Sequence, residues 1–359
     1  MKTRLFKLSL VMLILSLQYK SISSQRTNSE VPNPEVAGVS EFAEQILDRY
    51  EIPGLSIAIQ KNGEIIHRAN YGFASLEHRV PITDESIFRV YSITKITVAT
   101  TIFQLIEAQK LSITDPISKY LDDLPESWQN IQIQHLLTHS SGLPDMDIFE
   151  FQDLNEEEAK ARVYEQRPHN IAGLNYEYNQ TNFWLLHRII EAVSDQKMED
   201  IILSSQFPEA GSEVFFSSDS REIIPHRATV YFPFSTGKRS IEVPYVGEYL
   251  HAANGLNLTT DQLLKWGQRT LNNQFMSAET QRSMWRAYPY ADGKDNFAYS
   301  WEIHEDAQGQ RSFGFSGSLV TAIRIVPEDE VVIVFLANGM GQFFNIETQM
   351  SQIAAMVSP

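Results

Sequence analysis

The spacing of apolar positions changes along the chain. Near the start, Phe42-Ala43-Glu44-Gln45-Ile46-Leu47 places them on one face of a helix, and Pro53-Gly54 closes that region. Leu55-Ser56-Ile57-Ala58-Ile59 and Glu64-Ile65-Ile66-His67 flank Lys61-Asn62-Gly63, the signature of a hairpin on an Asn-Gly turn. From residue 92 to 193 the signals are mostly helical, with loops marked by Asp115-Pro116, Pro125, Gly142-Leu143-Pro144 and Ala172-Gly173. Residues 205–250 mix Pro, Ser and aromatic side chains without a clear period, so their structure stays open. Residues 318–326 and 331–336 are β-rich runs around Pro327-Glu328-Asp329-Glu330, a second hairpin, and 346–357 reads as a closing helix. Strands at both ends with helices between predict a sheet built from the two ends of the chain, with a helical insertion.

Composition narrows this. The 359 residues are 43% hydrophobic and 21% charged, enough to bury two cores or one elaborated core, so two lobes are expected. Residues 1–24 stand apart: Lys2, Arg4 and Lys7 accompany the apolar run LSLVMLILSL, and the small-residue run SISS follows. This pattern predicts a secretory signal peptide, because Leu8 to Leu17 is short of the roughly 20 residues that a membrane helix needs. Cleavage near Ser23 or Ser24 would remove four basic residues, Lys2, Arg4, Lys7 and Lys20, and no acidic one, taking the net charge from −16 to −20. Such an acidic body disfavours nucleic acid and anionic membrane surfaces, and no later segment is long and apolar enough to span a bilayer. With no cysteine there are no disulfides, thiol nucleophiles or thiolate metal sites, which for an exported chain fits a bacterial periplasm or exterior.

The chemistry is concentrated in FRVYSITKITVATTIFQLIEAQK, residues 88–110, where Ser92 and Lys95 stand three residues apart before an apolar run. The simplest reading of Ser92 is a helix N-cap. A capping box would then place Glu or Gln three residues on, and the chain has Lys95 instead. A cation in the first turn opposes the helix dipole, and Ile93, Ile96, Val98 and Ala99 surround it with apolar groups. Both effects lower a lysine pKa, and a partly neutral lysine one turn from a hydroxyl can take its proton.

Ser-x-x-Lys alone is a weak signal, but here it stands among further matching blocks. In order come IPGLSIAIQKNGEII, YGFASLEHRVPITDESIFRVYSITK, LSITDPISKYLDDLP, IQIQHLLTHSSGLPD, AGLNYEYNQTNFWLL and RSFGFSGSLVTAIRIVPEDE, covering roughly residues 38–340. The chain thereby resembles the serine β-lactamase-related family, which includes class C β-lactamases, D-amino-acid peptidases and esterases. The resemblance implies an α/β (α+β) fold of the β-lactamase/transpeptidase type, an antiparallel sheet flanked by helices plus a helical lobe. On this reading residues 25–359 form one catalytic domain, the sheet lobe drawn from about 38–85 and 250–359 and the helical lobe from about 86–200.

The family's Tyr-x-Asn motif falls on Tyr178-Asn179-Gln180, with glutamine at the asparagine position. The resemblance makes Tyr178 the phenol that moves protons beside Ser92 and Lys95, and Gln180 the amide facing the substrate carbonyl. The alternative for Tyr178 is a packing aromatic before a helix. The third motif, Lys-Thr-Gly or His-x-Gly on an edge strand, aligns with Phe315-Ser316-Gly317, followed by Ser318. Gly317 lets substrate lie close to the strand, and the Ser318 N–H joins that of Ser92 in an oxyanion hole. Phe315 carries no charge, so carboxylate recognition at this position is lost and strong β-lactamase activity is not expected. Arg324 is a candidate replacement cation, although a surface arginine is the commoner explanation.

The resemblance implies an exported serine hydrolase acting on an ester or amide, including peptides with a D-amino acid, with neither a metal nor an organic cofactor. Its expected partner is a small-molecule or peptide substrate. A catalytically silent protein that binds peptide or cell-wall fragments is the alternative. His135 and His139 have helical metal-ligand spacing, but no third ligand accompanies them, and His139 reads as structural. Asn179-Gln180-Thr181 and Asn257-Leu258-Thr259 match a glycosylation pattern and read as coincidences.

Overall fold

A computed structural model describes residues 26–28, 36–233, 239–241, 245–341 and 343–358. The expected signal peptide lies outside the described residues.

The main sheet is antiparallel and draws on both ends of the chain. Its strands are β1 (Arg26–Asn28), β2 (Gly54–Lys61), β3 (Glu64–Ser75) and β4 (Val80–Pro81) from the first part. A smaller sheet later in the chain uses β5 (Ile87–Arg89), β6 (Val214–Phe216) and β9 (Leu256–Thr259) in the order β5-β9-β6, and β7 (Tyr231–Pro233) pairs with β8 (Arg239–Ile241). The main sheet is completed by β10 (Glu302–Glu305), β11 (Arg311–Gly317), β12 (Thr321–Val326) and β13 (Val331–Ala337). Its order is β1-β3-β2-β13-β12-β11-β10, with β4 against β3. The hairpins β2–β3 and β12–β13 are those the alternating patterns predict.

The central strands are buried on both faces, which is why β13 reads as the unbroken run VVIVFLA. Val331, Ile333 and Phe335 face one core together with Ile57, Ile59 and Ala322. Over that face lie α1 (Ala37–Tyr50), the helix predicted from 42–47, and a helix near the end of the chain, Ile346–Val357. Val332, Val334, Ile323 and Phe315 face the other core, which continues without a break into the helical region.

At the centre of that region runs α2 (Thr94–Glu107), buried from Thr94 through Phe103. It is buried on every side although it carries Lys95 and several threonines, whose hydroxyls at Thr97, Thr100 and Thr101 donate to carbonyls within the helix. Around it stand α3 (Ile133–Leu137), α4 (Glu156–Tyr164), α5 (Thr181–Ser194), α6 (Met198–Gln206) and α7 (His251–Asn254). Then come α8 (Thr260–Leu271), which packs on β13 and β2, α9 (Ala278–Met284) and the closing helix, α10 (Ile346–Val357). No helix among the described residues is long and apolar enough to cross a membrane.

Two details of the sheet position the site. The Phe315-Ser316-Gly317 strand is second from the edge, since β10 lies outside it. The β10–β11 pairing runs only from Glu305↔Arg311 to Glu302↔Gly314, so residues 315–317 extend past the end of β10. Gly317 then approaches the chain ahead of Ser92 so closely that a Cβ there would stand 2.2 Å from the Val90 carbonyl oxygen and 2.4 Å from Thr321 Oγ1. Thr321 Oγ1 donates to that same carbonyl at 3.2 Å, tying the sheet to the serine segment.

Candidate active site

Ser92 sits in a single 3₁₀ turn, Tyr91–Ile93, ahead of α2. The N-cap of α2 is Ile93, so the capping explanation for Ser92 does not hold. Tyr91 adopts a left-handed backbone, φ 49°, an uncommon conformation for a bulky residue and one that accompanies the sharp entry into the helix. The Ser92 side chain is half-buried. Its Oγ lies 2.7 Å from the Tyr178 hydroxyl and accepts a hydrogen bond from Lys95 Nζ at 3.2 Å.

Lys95 is wholly buried in the first turn of α2. Besides Ser92, its Nζ donates to Gln180 Oε1 at 2.9 Å and to the Ala253 carbonyl at 2.7 Å. Burial lowers its pKa to about 7, against a smaller opposing effect of the Asp145 carboxylate. As a neutral amine it keeps two N–H groups for Gln180 and Ala253 and turns its lone pair to the Ser92 hydroxyl, the arrangement a general base requires.

Tyr178 is 37% exposed and its hydroxyl meets Ser92, so it is not a packing aromatic. Desolvation pushes its pKa above the ordinary tyrosine value, partly offset by hydrogen bonds with Ser92 and Gln180, so the phenol stays protonated. Gln180 occupies the N-cap position of α5, which brings its amide to Lys95. The longer side chain therefore reaches the lysine, the contact in which the structure places it.

The HLLTHSSGLPD block proves to be the scaffold of this corner. Asn179 donates from its side chain to the Leu143 carbonyl at 2.6 Å and from its backbone to His139 Nδ1 at 3.1 Å. Thr181 Oγ1 donates to the Pro144 carbonyl at 2.7 Å, and the Gln180 N–H to Asp145 Oδ1 at 2.6 Å. The His139 ring lies 4.5 Å from the Tyr178 ring, centroid to centroid, and burial drives its pKa well below the ordinary value. It is thus a neutral structural histidine, as expected, although its Nε2 is buried without a partner. His135 Nδ1 accepts from the Gln132 N–H. Asn179 and Asn257 are buried, 2% and 0% exposed, so neither offers itself for glycosylation.

The third motif requires two corrections. The Ser316 hydroxyl donates to Glu302 at 3.3 Å and to Glu347, on the side of the sheet covered by α10, so only its backbone is presented along the strand. Arg324 is no surface residue: it is 3% exposed, and its guanidinium donates to Glu347 at 2.7 Å and Ser351 at 3.1 Å. It is therefore not free to receive a substrate carboxylate. Phe315 is buried against Phe297. Ser318 and Leu319 follow in left-handed conformations, φ 48° and 63°, turning the chain at the end of β11, and both are exposed.

Two contributors have no signal of their own in the sequence. The Ala253 carbonyl is a backbone group 158 residues from Lys95, and nothing about an alanine announces it. Asp145 ends the HLLTHSSGLPD block and has no role assigned from sequence; the structure shows it accepting from the Gln180 N–H.

Comparisons with known proteins show what the chain as a whole is similar to. Penicillin-binding protein 4* of Bacillus subtilis (strain 168) is 24% identical over 322 residues, covering 82% of this chain and 70% of the relative. A beta-lactamase of Providencia stuartii is 23% identical over 374 aligned positions, covering 93% of each chain. The octameric penicillin-binding protein homologue from Pyrococcus abyssi has the same fold, with TM-score 0.76, 24% identity, and coverage of 90% of this chain and 77% of that one. The Beta-lactamase family model matches residues 39–354, and the chain belongs to that family.

Proposed function

We propose that the protein is an exported serine hydrolase that forms an acyl-enzyme on Ser92 and hydrolyses an uncharged ester or amide. The observation that carries this reading is the contact of the Ser92 hydroxyl with both Tyr178 and a buried Lys95 whose pKa is lowered to about 7.

In the proposed acylation, neutral Lys95 takes the Ser92 proton as Oγ attacks the carbonyl carbon. The oxyanion that forms accepts hydrogen bonds from the Ser92 and Ser318 N–H groups. Protonated Tyr178 gives its proton to the departing alcohol or amine and regains one from the proton that Lys95 took up. Water then attacks the acyl carbon as neutral Lys95 takes its proton, the bond from that carbon to Ser92 Oγ breaks, and the proton returns through Lys95 and Tyr178 to Oγ as the acid leaves.

Charge argues for the substrate class. A carboxylate-bearing substrate would need a free cation beside the Gly317 turn, but Phe315 is apolar and Arg324 is held by Glu347. Residues 315–317, running past the end of β10, offer backbone groups to an extended chain, which suits a peptide. Export rests on the pattern of residues 1–24 and implies a periplasmic or extracellular site of action.

The test is turnover of a panel of uncharged esters and D-amino-acid amides by wild type and a folded Ser92→Ala variant. Hydrolysis by wild type alone supports the reading. Saturable peptide binding without turnover in either protein would replace it with the silent binding protein.

A further inference from the structure

Outside the active site, three helices bring together a second set of chemically capable side chains. His187 and Glu191 lie one turn apart on α5, Glu199 lies in the first turn of α6, and His251 opens α7. His187 Nε2 is 3.3 Å from Glu191 Oε1 and 3.9 Å from Glu199 Oε2. We propose that His187, Glu191 and Glu199 form a binding site for a divalent cation of the zinc type.

Geometry carries the assignment. Zinc at about 2.0–2.2 Å from nitrogen and oxygen donors sets tetrahedral donor–donor separations of roughly 3.3–3.6 Å. One donor atom from each of the three residues lies within 4.8 Å of the others, so small side-chain rotations close the site. Two carboxylates balance the charge of a dication, and the fourth position is left for water or an outside ligand.

Both carboxylate ligands also have the outer partner that orients such groups in metal sites. Glu191 Oε1 accepts the Met198 N–H at 3.3 Å. Glu199 Oε1 lies 2.7 Å from His251 Nδ1, leaving Oε2 toward His187. His187 and Glu199 are sheltered, at 10% and 18% side-chain exposure, whereas Glu191 is 41% exposed and gives an ion its way in.

The charge environment separates this cluster from the one at Glu302, His304 and Glu347. There the Arg324 guanidinium donates to Glu347 and would repel a cation. Among the described residues no lysine or arginine pairs with Glu191 or Glu199. A bound ion would fasten α5, α6 and α7 together, and α7 supplies the Ala253 carbonyl that accepts from Lys95.

The experiment is calorimetric titration of the chelator-stripped full chain with zinc chloride, alongside thermal unfolding with and without the metal. The expected result is one zinc ion per chain and a rise in Tm that chelator reverses. His187→Gln and Glu191→Gln should each weaken binding at least about 100-fold, and His251→Gln about 10–100-fold with unchanged stoichiometry. Circular dichroism and covalent labelling of Ser92 show that each variant is folded. Absence of saturable binding to the folded wild type, or binding undiminished in His187→Gln and Glu191→Gln, would overturn the assignment.

Discussion

Lys95 is buried at a cost to its charged form. Lowering its pKa from the ordinary 10.5 to about 7 disfavours the ammonium form by roughly 5 kcal/mol, at about 1.36 kcal/mol per pH unit. Between those two values the unfolded chain holds a proton that the folded chain has released, so stability contributed by this residue rises with pH. Urea unfolding from pH 7 to 10 should therefore show wild type gaining up to about 1.4 kcal/mol per pH unit over Lys95→Met. Equal slopes for the two proteins would mean that the lysine is not neutral in the fold. For Tyr178, loss of the hydroxyl in Tyr178→Phe should cost about 10²–10⁴ in kcat with the fold intact, since it removes a proton carrier and leaves the ring beside His139. A change confined to KM would make the phenol a binding group only.

At the scale of elements, β11 approaches the serine segment closely at Gly317, next to the Val90 carbonyl. Gly317→Ala places a methyl against the Val90 carbonyl, a backbone group that cannot swing aside. It should cost about 1–3 kcal/mol in stability and lower the rate of Ser92 acylation, both measurable on one preparation. An alanine variant as stable and as fast as wild type would show that the approach is unimportant. The hairpins β2–β3 and β12–β13 were legible because alternation, an Asn-Gly turn and long apolar runs agree there. Strands β5, β6 and β9 were not, because each has only three or four residues and their pairings, such as Ile87↔Thr259 and Val214↔Leu258, join segments far apart in the chain. Strand β10, Glu-Ile-His-Glu, is polar on the face carrying Glu302 and His304, so it carries little of the signal of a strand. Ser92 and Lys95 stand out by residue type and spacing, whereas Tyr178 enters through the family resemblance. The roles of Asp145, His139 and the Ala253 carbonyl depend on folding, and an ion pair such as Arg324–Glu347 leaves no trace in a local window.

At the scale of the whole molecule, one apolar core runs from the inner face of the sheet into the helices around α2. The serine and lysine should then lose their geometry only when that core opens, so loss of Ser92 labelling and loss of helical circular dichroism should coincide in urea. Labelling lost at lower urea would show that the site melts separately. The same scale bears on the proposed substrate preference, since a net charge of −16 and an Arg324 held by Glu347 would disfavour anionic substrates. Matched neutral and carboxylate-bearing esters should differ in kcat/KM by about tenfold or more, in favour of the neutral one. A preference for the carboxylate would point to a cation that the present assignment of Arg324 denies.

The central claim is that buried Lys95, as a neutral amine, activates Ser92. The most direct measurement is the rate of fluorophosphonate labelling of Ser92 against pH, followed by intact mass, in wild type, Ser92→Ala and Lys95→Met. The account predicts a single adduct on wild type whose rate rises tenfold per pH unit below a midpoint near 7, with no adduct on Ser92→Ala and slow, pH-flat labelling of Lys95→Met. Labelling of wild type that is flat with pH, or undiminished in Lys95→Met, would contradict it.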